Sequence, residues 1–267
     1  MRRRQHTGRT AFTNFQGAYI RKAIAILAGV LLPIAAAAQP SAPVKPAASL
    51  DTRPKIALIV AIGQRFIVRK VGTKMFGEDM ASVPIDGWGI DTLVSSKAAA
   101  MLKERFSVVP VKAWAETGAH LMQAPEGLFS GRDGYLCDAL RKAAPGQFAY
   151  YVWVKPTVAK YASTDVKIYG LGIAHGNFAL NTSTSVHALF ALEVLDGRDC
   201  GSVRVVEPAS PNDMFETIGK GMHMKVDDAW VPAGPREAAQ DARLKDTIRQ
   251  LVGQGLDQAL PQLFARD

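Results

Sequence analysis

Five histidines, two cysteines and a Met-His-Met run are the residues of this 267-residue chain best suited to chemistry. His175 stands in Gly-Ile-Ala-His-Gly, and His187 opens a stretch that continues through Leu189, Ala191 and Glu193. An imidazole titrates near neutral pH, so either ring beside Asp165 or Glu193 would have the parts of a general acid–base pair. Histidines at strand ends are more often simply hydrogen-bonded, and that explanation competes. Met222, His223 and Met224 offer thioether and imidazole ligands that suit copper in an oxidising compartment. A copper site would need further ligands, with only His120, His175 and His187 to supply them, and flexible Met side chains filling a loop explain the run as well.

Asp86, Trp88 and Asp91 precede or open a helical pattern, an arrangement that would suit a cationic group or serve as a helix cap beside a buried indole. Gly170, Gly172 and Gly176 resemble a dinucleotide loop only superficially: the last spacing is one residue too long and no helical pattern follows. Such glycines relieve strand twist or admit a neighbouring backbone. Gly-x-Ser-x-Gly, His-Glu-x-x-His and Gly-x-x-x-x-Gly-Lys-Ser/Thr do not occur. No cofactor is expected, and a non-enzymatic binding role is preferred to a hydrolase or a copper-handling protein.

These residues must be positioned by a folded domain, and composition allows one. The chain is 48% hydrophobic and 21% charged, which is enough to bury a core. Its formal charge of +8 invites a nucleic-acid reading, but six basic and no acidic residues lie within residues 1–38. The remainder holds 26 basic and 24 acidic residues, and no nucleic-acid partner is expected. Arg21-Lys22, an apolar run from Ala23 to Ile34 and small residues Ala35 to Ala38 form a secretory signal peptide, with cleavage expected after Ala38. The apolar stretch is short for a membrane span and contains Pro33, so no transmembrane segment is expected after cleavage. The predicted location is the periplasm.

Residues 39–51 (QPSAPVKPAASLD) read as a flexible linker, and residues 52–267 as one globular domain. Export into an oxidising compartment makes a disulfide between Cys137 and Cys200 the preferred pairing.

Ile56 to Gly63 (IALIVAIG) is an unbroken apolar run, as in a central strand buried on both faces, and Arg65 to Val71 follows as a half-exposed strand in hairpin with it. A helix is predicted from Ile90 with Asp91 as N-cap, then a strand over Phe106 to Val111 in which Pro110 marks either its end or an edge position. A helix over Gly134 to Ala144 stops at Pro145-Gly146, and Phe148 to Val154 is a strand. Val166 to Ile173 and Val186 to Leu195 are the next strands, separated by an Asn181 to Ser185 turn or loop. Asp196 to Asp199 turns a hairpin into Ser202 to Glu207. Pro208 to Pro235 reads as a long loop, which together with a sheet edge forms the expected binding surface. Ile248, Leu251, Val252, Leu256, Ala259, Leu260 and Leu263 give a closing amphipathic helix.

The expected fold is α/β (α+β): a mixed sheet of six to seven strands with packed helices and a C-terminal amphipathic helix. The order of the IALIVAIG strand, the YYVWV strand and the HALFALEVLDGRDCGSVRVVE hairpin before a terminal helix resembles the group of bacterial envelope proteins related to the TolB amino-terminal domain and the curli secretion lipoprotein. Asp196-Gly197 falls where that group often carries Asp and Gly in the hairpin turn. The chain departs from the group in lacking a lipidated Cys, a β-propeller and obvious pore-forming hairpins. The resemblance implies a non-enzymatic protein that docks onto an envelope protein partner.

Overall fold

The computed structural model describes residues 52–72, 79–111, 132–161, 164–178, 181–211, 218 and 220–265. The expected signal peptide, its cleavage site, the linker and His120 lie outside these residues.

The chain begins with β1 (Lys55–Val60), β2 (Arg65–Gly72) and β3 (Asp79–Pro84), followed by α1 (Ile90–Leu102) and β4 (Ser107–Val111). Helix α2 (Arg132–Ala143) leads to β5 (Tyr150–Pro156), then to the short strands β6 (Val158–Lys160) and β7 (Lys167–Tyr169). Four longer strands follow: β8 (Leu171–Phe178), β9 (Asn181–Ala188), β10 (Phe190–Asp196) and β11 (Ser202–Val206). Strand β12 (Met222–Val226) and helices α3 (Pro235–Gln240) and α4 (Ala242–Ala259) complete the order.

The α+β class holds, but the strands divide into two five-stranded mixed sheets instead of one larger sheet. Sheet A has the order β11-β10-β5-β1-β4, with β1 parallel to both β4 and β5. Sheet B has the order β12-β9-β8-β2-β3, and β6 and β7 form a separate small hairpin. Burial of both faces is carried by alternation along β1. Ile56, Leu58 and Val60 enter the core shared with sheet B, whereas Ala57 and Ile59 enter the core on the far side of sheet A. β5 occupies the middle of that sheet and β1 lies beside it, correcting the expectation that β1 is central.

The expected β1–β2 hairpin does not form, because the chain passes from sheet A to sheet B between Val60 and Arg65. β2 pairs instead with β3 and, in parallel, with β8. A second crossing at Leu189 splits the expected Val186–Leu195 strand into the end of β9 and β10. The run Asn181 to Ser185 is not a turn. Pairing with β8 on one side and β12 on the other draws it into β9, so tertiary hydrogen bonding overrides the local turn preference of Asn and Ser. Pro208 to Pro235 is likewise more than a loop, since it contains β12 and a 3₁₀ turn at Asp228–Trp230.

The core between the sheets is closed by α1 and α4. Leu244, Ile248, Leu251, Val252 and Leu256 of α4 are buried there, each stabilising the fold by about 2 kcal/mol on transfer from water. Asp241 caps α4 by accepting from the Arg243 and Leu244 amides. The cap of α1 is Gly89 at φ 66°, and Asp91 falls inside the first turn, correcting its assignment as N-cap.

Candidate functional site

The sequence-predicted residues are scattered over both sheets. In β8 and β9 the alternation that buries Leu171, Ile173, Val186 and Ala188 between the sheets puts His175 on that inner side and His187 on the outer face. His175 Nδ1 lies 2.7 Å from Thr184 Oγ1, and the Thr184 hydroxyl donates to Asp228 Oδ1 at 2.5 Å. Asp228 lies 3.6 Å from the His175 ring, and hydrogen bonds from the Thr182 and Thr184 hydroxyls hold its carboxyl below the usual range, with His175 adding to them. This His–Thr–Asp chain staples the 3₁₀ turn after β12 onto β8 and β9. Thr184 is fully buried, so its hydroxyl serves the staple and is closed to an incoming substrate.

His187 is fully buried, and among the described residues neither ring nitrogen has a hydrogen-bond partner. Burial pushes the imidazole down to about 4; the Tyr169 and Ser185 carbonyls, outside ordinary hydrogen-bond geometry, oppose this, and nearby His223 reinforces it. His187 and His223 face each other across the β9–β12 pair. Met222 and Met224 point the other way, into the core between the sheets, so strand alternation separates the imidazole of His223 from both thioethers.

The carboxylates considered as partners for the histidines are elsewhere. Asp165 pairs with Lys160 at 2.9 Å at the β6–β7 hairpin, and Glu193 forms an ion pair with Lys155 on sheet A. Neither bonds to His175 or His187. Trp88 is turned into the core, where its ring sits 5.1 Å from that of Phe66 and its Nε1 donates to the Ala239 carbonyl at 3.0 Å. Asp86 stays exposed, so the indole and the carboxylate do not form one cationic site. Asp91 is pushed up chiefly by burial and secondarily by Asp86. Cys137 and Cys200 form a disulfide with Cα atoms 5.5 Å apart, joining α2 to the turn of the β10–β11 hairpin.

Where the two sheets part, the fold leaves a cleft of about 300 Å³. Three crossings between strands meet there in a closed ring of backbone bonds. Leu189 N donates to Gly170 O at 2.8 Å, Gly170 N to Thr157 O at 3.1 Å, and Thr157 N to Leu189 O at 3.0 Å. Gly170 makes the ring possible with φ at 53°, a left-handed conformation that breaks the expected Val166–Ile173 strand into β7 and β8. Ala61, Ile62, Ile67, Pro156 and Leu171 give the cleft apolar walls. Gln64, Arg65, Ser82 and Tyr169 are its polar or amphipathic lining.

Arg65 is fixed by two hydrogen bonds, from Nε to Ser82 Oγ at 2.6 Å and from Nη2 to the Ser82 carbonyl at 2.9 Å. The cleft lies just beyond the carboxyl ends of the parallel strands β1 and β5, the end of an α/β sheet at which ligands commonly bind. Sequence reasoning missed it. The available signals were the break after the apolar run at Gly63-Gln64 and the Gly170 that interrupts a strand.

No family model matches the chain, and no curated protein matches it. Among solved structures, lipoprotein GNA1162 from Neisseria meningitidis aligns over 77% of this chain and 100% of its own at 12% identity, with a TM-score of 0.28. That is a weak fold-level resemblance to an envelope lipoprotein, and a superposition this loose carries no inference about role.

Proposed function

We propose that this chain is an exported, periplasmic, non-enzymatic envelope protein that works by binding, with the cleft at the carboxyl ends of β1 and β5 as its binding site. The observation that carries the reading is the cleft itself: apolar walls, a few converging polar groups and a floor fixed by the Leu189–Gly170–Thr157 ring. The disulfide between Cys137 and Cys200 supports export, because such bridges persist in oxidising compartments. Among the described residues no helix is long and apolar enough to cross a membrane.

Binding is favoured over acid–base chemistry by placement. His175 is tied to Thr184 and Asp228, and His187 is sealed beneath the outer face of sheet B. The cleft replaces the 208–235 segment as the centre of the proposed surface; within that segment Met222–Val226 form β12, the edge strand of sheet B.

The test is site-specific photocrosslinking in living cells, with the reactive side chain at Tyr169 on the cleft or at Val203 on the exposed edge strand β11. A discrete adduct from Tyr169 and none from Val203 is expected. Adducts from Val203 alone would move the binding surface to the sheet edge.

A further inference from the structure

The composition of the cleft also specifies the chemistry of its occupant; this step rests on the binding role proposed above. Ala61, Ile67, Pro156 and Leu171 present hydrocarbon, and Arg65 is the cation in the lining. Ser82 holds the guanidinium through Nε and Nη2, which fixes its plane while leaving further N–H donors on the same fork. Among the described residues, Arg65 has no carboxylate partner. A positioned, permanently charged planar fork beside an apolar hollow matches a carboxylate carried on hydrocarbon. A volume of about 300 Å³ stands at the small end of ligand sites, which suits a short occupant.

We propose that the cleft binds a short amphipathic monocarboxylate, with its apolar chain against Ala61, Ile67, Pro156 and Leu171 and its carboxylate on Arg65. The hydrocarbon supplies affinity through burial, and the guanidinium discriminates the charged head from an uncharged one. No bond is made or broken.

Calorimetric titration of the full chain, expressed with its own leader and recovered from the periplasm, tests this with sodium octanoate and 1-octanol as probes. Octanoate should bind saturably and about tenfold more tightly than octanol, the discrimination expected of one charge-assisted contact. Arg65→Gln should bring octanoate down to the octanol level and leave octanol unchanged. Ala61→Leu, and separately Ile67→Trp from the facing wall, should abolish binding of both probes. Circular dichroism identifies any variant that fails to fold, and the other filling variant then decides.

Equal binding of octanol and octanoate by the parent protein would overturn the carboxylate assignment. Octanoate binding that survives both folded filling variants would overturn the location. Failure of both probes, in protein that still carries another molecule in its native mass spectrum, would overturn this inference and leave the binding role standing. Failure of both probes in protein without a bound molecule would also overturn this inference, and the Tyr169 crosslink then decides the binding role separately.

Discussion

The outer faces of the two sheets are closed by different means. On sheet A, Ala57, Ile59, Tyr151, Trp153 and Leu195 are covered by Leu140 and Ala144 at the α2 end, and the Cys137–Cys200 bridge ties that cover to the β10–β11 turn. On sheet B, Val71, Ala174 and Leu189 are covered by Ala159, Tyr161 and Ile168 of the β6–β7 hairpin and its flank, together with Ile218. One closure is covalent. The other depends on packing and on bonds such as Tyr161 Oη to the Ser183 carbonyl at 2.6 Å, with burial pushing the Tyr161 phenol up to about 12. The hairpin of sheet B also contributes Tyr169 to the cleft, so the closure without a covalent tie is the one beside the proposed binding site. The contrast teaches that this fold holds one face permanently and leaves the face near its cleft dependent on conditions.

The largest expected effect comes from breaking the covalent closure. Cys137→Ser with Cys200→Ser frees a loop of 63 residues and should cost about 4 kcal/mol on the chain-entropy account, read as a lower midpoint in denaturant titration. Next is acid acting on sheet B. His187 has its folded pKa depressed from 6.5 to about 4, so the unfolded chain takes up the proton first as pH falls. The associated stability is complete above about pH 6.5 and should fall by about 3 kcal/mol as pH drops through 4, with His187→Phe removing that part of the slope in unfolding measured across this range.

A smaller loss is expected at Gly172. A Cβ there would stand 2.5 Å from the Ile67 carbonyl and 2.8 Å from His187 Nε2, so Gly172→Ala should cost about 2 kcal/mol in thermal unfolding by overpacking sheet B. The smallest effect is on the surface. Lys97 and Asp257 join α1 to α4 at 2.5 Å but remain partly exposed, and Asp257→Asn should change stability by about 0.5 kcal/mol or less in the same measurement, with the residual effect fading in high salt.

How far sequence reaches follows the same division between local and tertiary causes. IALIVAIG declares burial on both faces through its unbroken apolar run, and Asp196-Gly197-Arg198-Asp199 declares a hairpin through turn chemistry. The α4 face is written in its spacing of three and four, and of the two readings Pro110 allows, a strand end or an edge strand, the edge holds for β4. These features depend on neighbours in sequence. The parting of β1 and β2 into separate sheets does not, because alternation reports how many faces are buried and says nothing of the strand that will pair.

Met222-His223-Met224 reads as a ligand run until its pairing with β9 makes it a strand, at which point successive side chains must point to opposite faces. His175 and Asp228 are more than fifty residues apart and meet only through β9. The cleft is assembled from Ala61, Ile62, Gln64, Arg65 and Ile67 with Ser82, Pro156 and Tyr169 to Leu171, so no local window contains it.

Native mass spectrometry of the protein recovered from the periplasm tests most directly the claim that this is an exported binding protein. The predicted spectrum is that of a chain starting at Gln39 with both cysteines oxidised and a non-covalent small molecule retained, the last lost on Ala61→Leu. A chain that keeps residues 1–38, carries free thiols and holds nothing in the cleft would contradict it.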